Sequence, residues 1–339
     1  TTVSSGTLKL GVADAIASTS AITVGSASTS TASLDLNGFS TSKALTLNGY
    51  GAGGSSGNVG ALTNSSTTAA TASGAIALNS GSFMGGVGDI NLTGIVSGTG
   101  LLTKVGSGAL TLSNSANSYS GGTTIKAGTL VVPSTGSMSS SGTLTISGGT
   151  LDLQKTQTIA TLSMTGGSIT NSSSDASSLA VTGTSTLAGS VTTRGTQTYT
   201  GATTLGAAAT LTSNNNDITF GNTVNGGFGL TVAQGSGKAT FNGIVGGTTA
   251  LASLSINGSG ATWLGNPNAA TATASVTTTG AQTYAGDLVL AADSVSLTTT
   301  NNAVSVGGST LSSRAITTSG SAVITSTGTT SWTAPADLA

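Results

Sequence analysis

The stretch GTQTYTGATTL at residues 195 to 205 returns as GAQTYAGDLVL at residues 280 to 290, with Gln, Thr, Tyr and Gly held in step. It belongs to a longer match between VTTRGTQTYTGATTLGAAATLTSNNN (191 to 216) and VTTTGAQTYAGDLVLAADSVSLTTTNN (276 to 302), in which one residue added before Leu297 moves the offset from 85 to 86. A third version, SANSYSGGTTI, lies at 115 to 125, so Tyr119, Tyr199 and Tyr284 share one Tyr-x-Gly phrase. Self-similarity of this kind marks repeat architectures, in which one structural unit stacks on the next.

A shorter period lies inside the long one. Leu130, Leu151, Ile169 and Val191 each follow a Gly-Thr or Gly-Ser pair and succeed one another at nearly even steps. A second ladder, Leu144-x-Ile146, Leu162-x-Met164 and Leu179-x-Val181, advances by similar steps. Alternating phrases such as SLDLNG (33 to 38), ALTLNG (44 to 49) and TLTISG (143 to 148) place two branched apolar residues two apart before turn-formers, the pattern of a short strand with one buried face. About 20 residues hold three such strands. The fold class expected is therefore all-β: a right-handed, single-stranded parallel β-helix (β-solenoid) with coils of about 17–22 residues, roughly 17 of them, stacked at about 4.8 Å. On that basis the 85-residue repeat is about four coils, and the Tyr-x-Gly phrase recurs because one wall position recurs.

The same stacking accounts for the composition. Only 5% of the 339 residues are charged, all nine acids are Asp, Gly occupies 52 positions, and His and Cys are absent. Equivalent side chains of neighbouring coils lie about 4.8 Å apart, where like charges repel, so outward positions go to Thr and Ser and corners to Gly and Asn. A net charge of −1 without a basic patch makes nucleic acid and anionic membrane surfaces poor partners. No apolar run approaches the roughly 18 residues of a membrane span, so no membrane insertion by this segment is expected. The chain starts at Thr1 without a signal-peptide pattern and is expected to be a processed or excised segment. The apolar stretch 11 to 24 is a candidate capping helix.

The run 88 to 132 resembles the autotransporter-associated β-strand repeat, through Leu102 to Lys104, Gly106 to Leu112, Asn117 to Thr123 and Ala127 to Leu130. Residues 191 to 306 look like repeats of filamentous-haemagglutinin-type surface proteins, with the Gln-Thr-Tyr-x-Gly phrase and GIVGGTTALASLSING (243 to 258). Both resemblances imply parallel β-helices outside Gram-negative bacteria, exported across the outer membrane. The organisation expected is one continuous solenoid over 1–339: irregular N-terminal coils at 1–87, an autotransporter-type block at 88–190, and successive repeat copies at 191–275 and 276–339.

Several motifs invite chemistry. Gly49-x-Gly51-x-x-Gly54 satisfies the dinucleotide fingerprint as a string, but no helix signal follows, so a corner or bulging loop is expected. GGVGD (85 to 89) is similar to a calcium nonapeptide with Asp89 one residue early, and Asn214-Asn215-Asn216-Asp217 offers hard oxygens; a polar turn is the reading for both. Catalysis on a β-helix needs paired carboxylates or a base at a cleft. Without His or Glu, only Asp287 with Asp293, or Asp152 with Lys155, come forward, and the latter reads as a surface pair. Tyr119, Tyr199 and Tyr284, each expected to cover the Gly two positions on, and Trp263 and Trp332 are the candidates for sugar stacking. Trp332, near Pro335, is a candidate for capping or leaving the last coil. Thr277 to Thr279 and Thr298 to Thr300 suggest an ice-binding array, against which the uneven coil lengths speak.

The sequence thus predicts a non-catalytic extracellular surface protein, an adhesin or adhesin stalk, with a self-assembling filament, sheath or matrix-fibre subunit as the alternative. Expected catalytic, cofactor and metal residues are none. The partner expected is a host or matrix surface, glycan or protein, with end-to-end self-association beside it.

Overall fold

The computed structural model describes residues 1–16, 21–266, 273–292, 294–300, 302–307 and 322–326. Among these there is no helix, and most of the strands are short. They wind as a parallel β-solenoid of about 14 turns, fewer than the number expected because several turns carry long loops. The chain divides into two compact units, one of Thr1–Ala160 with Gly166–Asp175, the other of Thr161–Thr165 with Ala176–Ala339.

In the first unit, one wall stacks Ala70–Ala72, Ile90–Leu92, Ala109–Leu112, Thr129–Val132, Thr150–Leu153 and Ser168–Thr170, every pair parallel. Ile90, Leu110, Leu130, Leu151 and Ile169 are register partners along it, one to a turn, which confirms the first sequence ladder over Leu130, Leu151 and Ile169. All five are buried. Alternation explains why: each strand turns one apolar side chain inward per two residues, and burial of each Leu or Ile contributes about 1.5–3 kcal/mol. Two further walls run through Val96–Gly98 and through Leu102–Lys104, Thr123–Ile125 and Thr143–Ile146. Turns are not uniform. Leu45 pairs with Ile76, far beyond the usual length of a turn, because the loop after Leu45–Gly49 leaves the wall. Gly49 ends that strand and Gly51 and Gly54 follow in the loop, at φ of 90°, 79° and 66°, the bulging loop expected of that string.

In the second unit, the first wall stacks Leu179–Val181, Gln197–Tyr199, Ile218–Phe220, Ala239–Phe241, Thr262–Leu264 and Leu288–Leu290. A second wall holds Thr161–Met164, the first halves of Ser185–Thr193 and Thr203–Ser213, and Val224–Asn225, and bridges from Val224 through Val245 to Val276. The third takes the second halves of the two long strands, then Gly229–Ala233, Ser253–Ile256, Gln282–Tyr284 and Val304–Val306. Inside the first wall, the rings of Tyr199, Phe220 and Phe241 stack at centroid separations of 5.3 and 4.9 Å.

The structure corrects three expectations. Leu162 pairs with Ser185 on the second wall whereas Leu179 pairs with Gln197 on the first, so the second sequence ladder changes wall at its last rung. That last step is less than a turn. Second, within the proposed capping helix Ile22–Val24 is a strand paired with Leu45–Gly49, and the described residues 11–16 form bends and turns. The β-branched Ile22 and Val24 find buried places in the wall, which outweighs the helical propensity of the alanines nearby. Third, the long repeat does not bring its tyrosine back to the same wall. Four register steps from Tyr199, through Phe220, Phe241 and Leu264, end at Leu290. Tyr284 lies one wall short of that, on the third wall against Ile256. The two copies therefore differ in phase by one wall, a shift set by the longer register steps from Phe241 to Leu264 and from Leu264 to Leu290.

Replacing Phe220 with Ala opens a cavity between two rings, and urea denaturation followed by circular dichroism should show the second unit weakened by about 3–5 kcal/mol.

Candidate functional site

The buried polar side chains meet at corners. In the first unit, alternation along Leu102–Lys104 puts Lys104 on the same side as Leu102, and the lysine is fully buried. Its Nζ donates to the carbonyls of Val105 and Gly106, both at 2.8 Å, and of Ala127 on the next turn at 3.1 Å. Burial pulls the ammonium down to about 8, against the opposing pull of the Asp89 carboxylate. Glycine is obligatory around it: a Cβ on Gly128 would sit 2.6 Å from Nζ and one on Gly85 would strike the Val105 oxygen, both at positive φ. Asn117 bridges three turns, accepting from Val96 N and donating to Ser137 O, each at 2.8 Å. The buried Tyr119 hydroxyl meets Thr123 Oγ1 at 2.8 Å, and burial raises its pKa to about 12.

In the second unit one polar network occurs twice. Gln197 Nε2 donates to Val191 O, Thr193 Oγ1 and Thr212 O at 3.2, 3.2 and 2.8 Å, and its Oε1 accepts from Tyr199 OH at 3.0 Å. Gln282 repeats this with Val276, Thr278 and Thr298 at 3.1, 3.3 and 2.9 Å, and accepts from Tyr284 OH at 3.0 Å. Thr193 and Thr278 each donate to the carbonyl two residues on, Gly195 and Gly280. On the following turn Asn216 donates to Arg194 O and Asn214 O, and Asn302 to Thr279 O and Thr300 O. Gln, Thr and Tyr are fully buried in both copies, and burial pushes both phenols far up. All partners lie within one corner and its next turn, so the network works equally on the first wall and the third.

Buried rings cannot receive a sugar. Tyr119, Tyr199 and Tyr284 are interior side chains, turned inward with the apolar residues. Trp263 does lie on an outer face, half-buried, with Lys238 Nζ 4.7 Å from a ring centroid. Trp332, Pro335 and Asp293 lie outside the described residues.

The carboxylates serve the stack. Asp14, Asp35, Asp89, Asp152 and Asp217 each accept the amide of a residue one turn on: Ser42, Ser65, Ala109, Ser172 and Lys238, at 2.7 to 3.0 Å. Asp152 and Lys155 are not the surface pair expected. Asp152 is buried on Ser172 and Gln154, and Lys155 donates to Gly136 O, since amides of the next turn hold a carboxylate better than a screened surface ion pair does. The oxygens of Asn215 and Asp217 are likewise occupied by Ser236 N and Lys238 N, as a polar turn requires. Among the described residues no group of three or more acids is placed to hold a metal ion. Thr277 and Thr298 are register partners despite uneven loops.

Residues 102–132 match the family model described as Passenger-associated-transport-repeat. The match begins at the strand carrying Lys104, takes in Asn117, Tyr119 and Gly128, and ends with Thr129–Val132. Comparison with curated proteins and with solved structures returned no match. What the match selects is the corner machinery of one and a half turns, with its side chains engaged internally.

Gln197→Leu and Gln282→Leu each strand a buried tyrosine hydroxyl, and should cost about 1–3 kcal/mol apiece in urea denaturation, equally on the two walls. Hydrogen bonds from the Ser42 amide and hydroxyl hold the Asp14 carboxyl below its ordinary 3.8. A lowered folded pKa adds stability present above pH 3.8 and lost as pH falls through the folded value, so Asp14→Asn should flatten that part of an acid denaturation curve.

Proposed function

We propose that this chain is part of the passenger of an exported bacterial surface protein and acts without catalysis, as an adhesin or as the stalk that holds one away from the cell. The observation that carries this reading is the passenger-associated repeat at 102–132 seated within a parallel β-solenoid. The engagement of the chemistry-bearing side chains supports the non-catalytic part. Five carboxylates cap amides, three phenols are interior, and Lys104 is committed to backbone carbonyls. The outer faces are hydroxyl-rich: Ser190, Thr210, Thr231, Ser255, Thr283 and Ser305 are successive register partners on one outward column. Such a surface suits a hydrated glycan or matrix protein at the outside of a Gram-negative cell better than it suits a nucleic acid.

The test places the chain between an export signal and an outer-membrane β-barrel. Protease added to intact cells should release it, and the purified chain should be retained on at least one immobilised matrix glycan or protein. A chain held inside the cell sinks the passenger reading. Regular filaments in electron micrographs of the purified chain would replace the adhesin with a fibre subunit.

A further inference from the structure

We propose that the carbonyl oxygens of Val105, Gly106 and Ala127 form a cradle for a small ammonium ion, filled in this chain by its own Lys104, and that this captive cation fastens two successive turns of the repeat. What carries it is the fit between donors and acceptors. An ammonium has three N–H donors and no acceptor, and here each of three carbonyls lies within 3.1 Å of it. Two carbonyls come from the turn that carries the lysine and the third from the turn above. Val105 N and Lys126 N, the amides beside them, complete the wall by donating to Met84 O and Lys104 O.

Alternatives fit worse. A methionine would fill the space and leave three inward carbonyls without a donor. An arginine would bring a planar fork to acceptors arranged around a point, into a space that Gly85 and Gly128 already bound tightly. Charge is scarce elsewhere in this chain, so a lysine that is completely buried and triply bonded is a placed group rather than a stray one. The carboxylate that acts on it, Asp89, is exposed and accepts Ala109 N, so it balances the ammonium from outside the cradle. This inference stands apart from the passenger reading.

Hydrogen exchange of the full chain at pH 7, read at the Val105 and Lys126 amides, tests it. Lys104→Met and Lys104→Ala should each exchange roughly ten- to a hundredfold faster than the natural chain, the loss expected for buried hydrogen bonds to a charged group. Ethylammonium chloride should restore most of the protection to Lys104→Ala, whereas tetramethylammonium chloride at the same ionic strength, having no N–H, should not. Lys104→Met, its cradle filled, should respond to neither. If Lys104→Ala folds only when refolded in ethylammonium, the cradle is supported in its strongest form. Natural protection in Lys104→Met, equal effects of the two salts, or failure of Lys104→Ala to fold even with ethylammonium would each overturn the proposal.

Discussion

Backbone pairing between turns is the interaction on which everything else rests. A strand of three residues has no stability of its own. In this chain each one survives because neighbouring turns hydrogen-bond to it in parallel, so that most inward apolar side chains also meet another apolar one about 4.8 Å away. That single spacing sorts the residues. Like apolar groups stacked at this distance make a dry interior, stacked hydroxyls are tolerated outside, and stacked like charges are not. The 5% charge content follows from the geometry rather than from any demand of function.

Corners obey a different rule. There the chain leaves the wall and its carbonyls and amides lose their ladder partners, yet they lie close to the interior, where an unpaired polar group is costly. The molecule meets this with a small set of side chains. Asp caps amides of the following turn, Asn ties neighbouring turns together, Gln with Tyr fills the inside of a corner, and Lys104 gathers three carbonyls. Of these, the Gln, Tyr and Asn recur in both copies of the long repeat. Preservation between copies within this chain marks the places that are hardest to satisfy.

Much of the fold was legible in the sequence. Period-two alternation located the strands, Gly and Asn located the corners, and the ladder from Leu130 to Ile169 showed the turn length. What misled was treating turns as uniform. The step from Leu162 to Leu179 looks like a turn but is a change of wall, because loops of different length intervene and only register, which is a non-local property, tells the two apart. The role of Lys104 was also hidden in plain sight. Leu102 and Lys104 are two apart on a strand and must face the same way, so alternation alone places the lysine inside; which carbonyls its ammonium meets depends on the next turn. Gln197 and Gln282 carried a signal in their repetition, but which atoms they serve depends on strands of the following turn, beyond what spacing reveals.

The one-wall difference in phase between the two copies of the long repeat has a further meaning. Since the Gln and Tyr corner brings all its bonding partners with it, a duplicated block sits at either of two angular settings about the axis without disturbing the interior. Successive duplications of such a block would then point the same outward residues toward different compass bearings. A lineage could spread one surface motif around its circumference simply by copying it, with loop length acting as the dial.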